Sequence, residues 1–180
     1  MREQSKQARF ERAALPHLGA AYNLARWLTR NDQDAEDMVQ EAYLRAFRFF
    51  DGFHGADSAA GSKAWLLAIV RNTCYTWLRQ RRPSDLAVPY DEELHDDGSE
   101  MFNPERLVML NADNEALRAA LEDLPVEFRE VVILRDLEGM SYKEIAGIIA
   151  VPLGTVMSRL ARARKRLKVC LARREQGAAF

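Results

Sequence analysis

Between Glu144 and Glu175 the chain has no acidic residue, and inside that interval Thr155, Ser158, Arg159, Arg162, Lys165 and Arg166 recur at helical spacing. At about 100° per residue they share one side of a helix, while Val156, Leu160, Ala163 and Leu167 fall within an arc of roughly 60° on the other. Cations on one face, with no acid near, can approach phosphates without like-charge repulsion. An Arg there can also present the paired donors that match a guanine edge. A second set lies in residues 63–82, where Lys63, Trp65, Arg71, Asn72, Tyr75, Trp77, Arg79, Arg81 and Arg82 interleave cations with aromatic rings. Rings for stacking and charge for phosphates are what single-stranded nucleic acid needs. Each ring taken singly is more often core than platform. A third set, Asp37, Gln40, Glu41 and Arg45, forms a polar strip that commonly is no more than a solvated helix face.

Catalytic chemistry finds no comparable constellation. His17, His54 and His95 are scattered, and no G-x-x-x-x-G-K-[ST] loop occurs. Cys74 and Cys170 are too few and too far apart for a zinc site, and both sit in helical patterns, which fits a cytoplasmic location. We therefore expect no enzyme activity of its own, no metal and no cofactor. Met1–Arg12 is too polar for a signal peptide, and no apolar run reaches the roughly 18 residues of a membrane span.

The elements that hold these residues are helices. Ser141 and Glu144 form an S-x-x-E capping box that starts a helix through Ile145, Ala146 and Ile149. The run Ala150-Val151-Pro152-Leu153-Gly154 breaks it through Pro and Gly, and the basic helix follows. Two helices around a tight turn, the second apolar behind and basic in front, describe a helix-turn-helix. A helical hairpin with a solvated basic face competes for the same residues. Upstream, residues 5–29 are helical in pattern with Pro16 at a first turn, and the helix over about 34–50 is capped by Asp32 or Asp34. Ala35, Met38, Val39, Ala42, Leu44 and Phe49 are expected on its buried side. Gly52–Ser62 reads as a loop. A long helix follows from about Ser62 to Arg81, with Leu66, Ile69, Val70, Thr73 and Leu78 as its core. Asn103-Pro104 starts the second module, Leu107 to Leu121 continues it, Leu124-Pro125 restarts a helix, and Gly139 ends that helix as a C-terminal cap.

The net charge of −1 conceals a block pattern. Residues 1–82 carry 13 Lys/Arg against 9 Asp/Glu, residues 83–115 carry 1 against 10, and residues 116–180 carry 12 against 8. Residues 83–105 hold three prolines, eight acids and no Lys or Arg, a composition that repels itself into an extended linker. That linker is either a passive spacer or a polyanion for a cationic groove on a partner. The expected fold is all-α: two small helical domains, 1–82 and 106–180, joined by a flexible acidic linker at 83–105, the second domain with a helix-turn-helix.

Four stretches, in order, resemble one family: Asp34-Ala-Glu-Asp-Met-Val-Gln-Glu-Ala-Tyr43, Ala64-Trp-Leu-Leu-Ala-Ile-Val-Arg-Asn-Thr73, Leu124-Pro-Val-Glu-Phe-Arg129 and Gly154-Thr-Val-Met-Ser-Arg-Leu-Ala-Arg-Ala-Arg164. The chain resembles a bacterial RNA polymerase sigma factor of the sigma-70 family, in its extracytoplasmic-function (ECF) group, over about residues 8–172. The resemblance implies that Asp37, Gln40, Glu41 and Arg45 dock on core RNA polymerase. It implies that the 63–82 helix and the loop before it, through Lys63, Arg71, Asn72, Tyr75 and Trp77, bind the melted −10 element of promoter DNA, with Asn72 beside an extruded base. It implies that Thr155, Ser158, Arg159, Arg162, Lys165 and Arg166 meet the −35 element as duplex. An anti-sigma factor that masks both modules, and a linker whose acids mimic RNA, are further implications. Met157 and Ala161 depart from the family, since many relatives carry Lys or Arg at position 157. A stand-alone helix-turn-helix regulator of duplex DNA is the alternative function.

Overall fold

A computed structural model of the 180-residue chain describes residues 2–56, 58–86 and 115–178. Residues 87–105 of the expected linker, the helix start at Asn103-Pro104, and Leu107 and Leu110 lie outside the described residues. The fold is all-α, with no strand among the described residues. The chain divides into two compact units, Met1–Arg81 with Gly147–Ala150 and Arg82–Ala146 with Val151–Phe180.

In the first unit α1 spans Arg2–Ala14, α2 Leu18–Thr29, α3 Asp32–Phe49 and α4 Ala59–Arg81. Pro16 lies in the 3-10 turn Leu15–His17 that joins α1 to α2, where its missing N–H costs no helical bond. Helices α2, α3 and α4 pack on one another, and α1 lies against α3 and α4. The shared core takes Leu24 and Leu28 from α2, Ala35, Val39, Ala42 and Ala46 from α3, and Leu66, Leu67, Val70, Cys74 and Leu78 from α4. Phe10 of α1 meets Phe47 and Phe50 edge-on, with centroids 5.3 and 5.4 Å apart. Two expectations fail at α3. Asn31, not Asp32 or Asp34, is its cap, accepting the Asp34 N–H at 3.0 Å. Leu44 and Phe49 are 66% and 64% exposed, because alanines line the inner face and let the neighbouring helices approach closely. Met38 is half-buried.

The helix α4 begins earlier than the glycine-rich sequence suggests. Ser58 accepts from the Gly61 N–H at 3.2 Å through its hydroxyl and from the Ser62 N–H at 2.9 Å through its carbonyl, which ties the first turn. The segment before it is folded back on the helix: Phe53 stacks on Trp65, centroids 4.3 Å apart and planes 10° apart. Gly55 sits against that ring so closely that a Cβ there would come within 2.7 Å of it. In the core of α4, Ile69 is half-buried rather than buried, and Leu67, Cys74 and Tyr75 are buried beside the expected positions.

The remaining helices are α5 Glu115–Asp123, α6 Val126–Val132, α7 Tyr142–Ile149 and α8 Leu153–Ala178, all in the second unit except the last residues of α7, 147–149, which fall in the first. Helix α6 runs on through a π turn, Ile133–Leu137. Gly139 closes it in the left-handed region, φ +67°, and the Met140 N–H reaches back to the Leu134 carbonyl at 2.9 Å. Helices α5 and α6 pack on α8. Leu117, Leu121, Val131, Leu134, Val156, Leu160 and Leu167 are buried.

Candidate functional site

The helix-turn-helix is assembled as its residues dictate. The Ser141 N–H donates to Glu144 Oε2 at 2.9 Å while the Glu144 N–H donates to Ser141 Oγ at 3.1 Å, so both halves of the capping box are made. The break between α7 and α8 turns the chain by 100°. Its left-handed residue is Ala150, φ +56°, whereas Gly154 lies inside α8. The expectation that Gly154 supplies the unusual backbone angle is therefore corrected: Pro152 ends the turn, and α8 starts at Leu153.

On α8 the expected apolar arc is buried in full: Val156, Leu160, Ala163 and Leu167. The basic residues are less uniform than periodicity suggests. Ser158 and Arg162 are exposed, and Thr155 and Lys165 are half-buried. Arg159 lies 4.0 Å from the Glu127 carboxylate, its side chain 23% exposed. Arg166 lies over the Phe128 ring, 4.9 Å from the centroid. Arg164, outside the expected set, is paired with Asp136. For Arg166 an aromatic ring on α6 holds the guanidinium, a partner that helical periodicity cannot register. Met157 and Ala161 are exposed beside Ser158 and Arg162.

On α4, Asn72 is exposed, and Lys63, Arg71 and Trp77 are half-buried. Tyr75 is only 6% exposed, and Arg71 lies 3.7 Å from its ring centroid. Of the two readings open to this ring, the buried one fits Tyr75, and it supports Arg71 beside Asn72. Near the start of α4, burial and then the Lys63 ammonium hold His17 below the ordinary imidazole range. On α3, Asp37, Gln40 and Glu41 are exposed. The Arg45 Nε donates to Glu41 at 2.9 Å, one turn apart, and the Gln33 amide donates to Asp37 at 3.2 Å. Leu44 lies within the same exposed strip, an apolar group among acids that the sequence reading assigned to the core.

The family model described as Sigma-70 region 2 matches residues 14–83, and that described as Sigma-70, region 4 matches residues 114–167. The ECF RNA polymerase sigma-E factor of Escherichia coli is 40% identical over 138 residues, covering 73% of this chain and 71% of that protein. The chain belongs to the ECF group of the sigma-70 family. The ECF RNA polymerase sigma factor SigE of Mycolicibacterium smegmatis is 34% identical over 174 residues, and this chain spans 65% of its length. Among solved structures, the sigma factor RpoE bound to the anti-sigma factor NepR from Bartonella quintana is similar with a TM-score of 0.65 and 30% identity. That likeness covers 88% of this chain and 93% of the other. CnrH in complex with the cytosolic domain of CnrY follows at 0.62 and 25% identity, covering 91% and 87%.

Within this ECF sigma factor the region 2 match takes in Asp37, Gln40, Glu41, Leu44, Lys63, Asn72 and Trp77. The region 4 match takes in Asp136, Met157 and the basic residues of α8 from Arg159 to Arg166. A region 2 match in the same chain as the helix-turn-helix leaves the stand-alone regulator without support. Among the described residues no single helix is long and apolar enough to cross a membrane.

Proposed function

We propose that this chain is a dissociable promoter-recognition subunit that joins core RNA polymerase, directs it to promoters and helps open the DNA. The observation that carries the reading is the pairing of a region 2 unit, with Asp37, Gln40 and Glu41 exposed on α3, and a region 4 helix-turn-helix in one chain. Asp37, Gln40 and Glu41 meet the polymerase, with Leu44 as the apolar centre of that contact. Arg45 orients Glu41 through their one-turn pair. Asn72 pairs with the edge of an unstacked base, its amide offering donors and an acceptor. Arg71, set on Tyr75, and Lys63 add charge for the single strand, and Trp77 adds ring surface. On α8, Ser158 and Arg162 read duplex edges, while Thr155, Arg159 and Lys165 hold phosphates.

The polymerase and promoter DNA are thus two of its partners, and an anti-sigma protein is a third. The relatives found in anti-sigma complexes support that last assignment. The initiation role needs no catalytic group of this chain's own, and it places the protein in the cytoplasm with the polymerase. Run-off transcription with core polymerase, with and without the chain, tests the reading beside a gel shift of the chain alone. Promoter-dependent transcripts only when chain and core are combined are expected. A tight, sequence-specific shift by the chain alone with no effect on transcription would return the chain to a stand-alone regulator.

A further inference from the structure

Three cations of α8 are engaged within the protein. Arg159 is drawn toward Glu127, Arg164 toward Asp136 and Arg166 over Phe128. Between Val156 and Ala163 the exposed residues of α8 are Met157, Ser158, Ala161 and Arg162. Met157 is 46% exposed, while Val156 and Leu160 behind it fill the core, so its thioether is not needed for packing. The N-terminal residues of a recognition helix are the ones that meet base edges in the major groove. A cation at position 157 would select a guanine edge. A thioether has no strong donor and instead gains by covering an apolar group. In the major groove that group is the thymine 5-methyl.

We propose that Met157 is a specificity-determining residue that reads a thymine methyl in the −35 element, giving this chain a preference for thymine where a cation would select guanine. This rests on the reading of α8 as a duplex-binding helix. Exposure leaves room for substitution: Gly154, Ser158 and Ala161 beside it are also exposed, so variants at 157 do not disturb the core.

The test uses the full chain assembled with core polymerase and a randomised pool of duplexes at the −35 position. The duplex most enriched is remade with deoxyuridine replacing one thymine at a time, which deletes only the methyl. One such replacement is expected to weaken binding about fourfold, the factor for burying one methyl-sized apolar group. In Met157→Ala that sensitivity should vanish while the other positions keep theirs. Met157→Arg should move the preference at the same position to guanine. Enrichment with no position sensitive to the methyl, or undiminished sensitivity in Met157→Ala, would overturn the assignment of Met157 alone. No enrichment of any duplex would overturn the duplex-reading role of α8 and this inference with it.

Discussion

Arg164 clamps Asp136 through two hydrogen bonds, 2.6 Å from Nη2 and 3.4 Å from Nε, and the Asp136 side chain is only 1% exposed. The pair joins α8 to the π turn that follows α6, so it fixes how α8 is held. Removing one partner of a buried pair leaves the other charge uncompensated, at about 3 kcal/mol or more. Arg164→Ala should therefore lower the unfolding free energy of the second unit by about 3 kcal/mol in urea melts. The double change Arg164→Met with Asp136→Leu should recover most of it. A loss under about 0.5 kcal/mol in Arg164→Ala would show that the pair is an ordinary surface contact.

Arg162 and Arg166 should separate cleanly, although sequence periodicity puts both on one face. Arg162→Ala should weaken duplex binding by about 1–3 kcal/mol if its guanidinium pairs with a base, and relax one position of the selected site. Arg166→Ala should act mainly through lost packing on Phe128, lowering stability while leaving the slope of affinity against salt nearly unchanged. Equal effects of both changes on the salt slope would show that Arg166 leaves Phe128 for phosphate in the complex.

The strip on α3 should matter for polymerase and not for DNA. Asp37→Lys with Glu41→Lys should weaken core binding at least about tenfold in a competition assay, and Leu44→Ala should do so by a similar factor as a central apolar contact. Helicity by circular dichroism should persist, since all three residues are exposed. Unchanged core affinity in both variants would return the strip to a solvated face.

How far the residues announced these features depends on whether the cause was local. The capping box at Ser141 and Glu144, the left-handed Gly139 and the arc Val156–Leu160–Ala163–Leu167 each depend on neighbours within a turn or two, and each is legible in the sequence. The inner face of α3 is not. Hydropathy favours Leu44 and Phe49, yet close packing against α2 and α4 selects Ala35, Ala42 and Ala46. The directions of Arg159 and Arg166 depend on Glu127 and Phe128, more than 30 residues away. Tyr75 is open to both a core and a stacking reading in the sequence, because its burial depends on packing that aromatic spacing does not encode. Asn31, Asp32 and Asp34 are all capable caps by residue type, and only the backbone, extended at Asn31, selects among them.

The Tyr43 hydroxyl donates to the Ala14 carbonyl at 2.8 Å, and burial pushes its pKa up to about 12. The folded value is raised above the unfolded 10.0, so the fold favours the neutral phenol. Its stabilising contribution is fully present below pH 10.0 and is lost as pH rises toward about 12. Melting temperatures of the first unit should fall across that window, and Tyr43→Phe, which cannot ionise, should show a shallower fall. Parallel curves for the two proteins would mean that Tyr43 ionisation is not linked to folding.

Promoter opening should depend on Asn72. Unstacking and unpairing cost a few kcal/mol per extruded base, and a protein offsets that only by holding the open strand better than the duplex. Asn72 is exposed on α4 beside Arg71. The measurement is permanganate reactivity of unpaired thymines on a promoter bound by core polymerase with the parent chain or with Asn72→Ala. Loss of a base contact of about 1–3 kcal/mol should cut opening by roughly five- to 150-fold. Core binding and duplex binding should stay nearly intact, and a pre-melted bubble should restore part of the loss. Opening by Asn72→Ala equal to the parent's would contradict the base contact, and no opening by the parent chain with core polymerase would contradict the promoter-opening function itself.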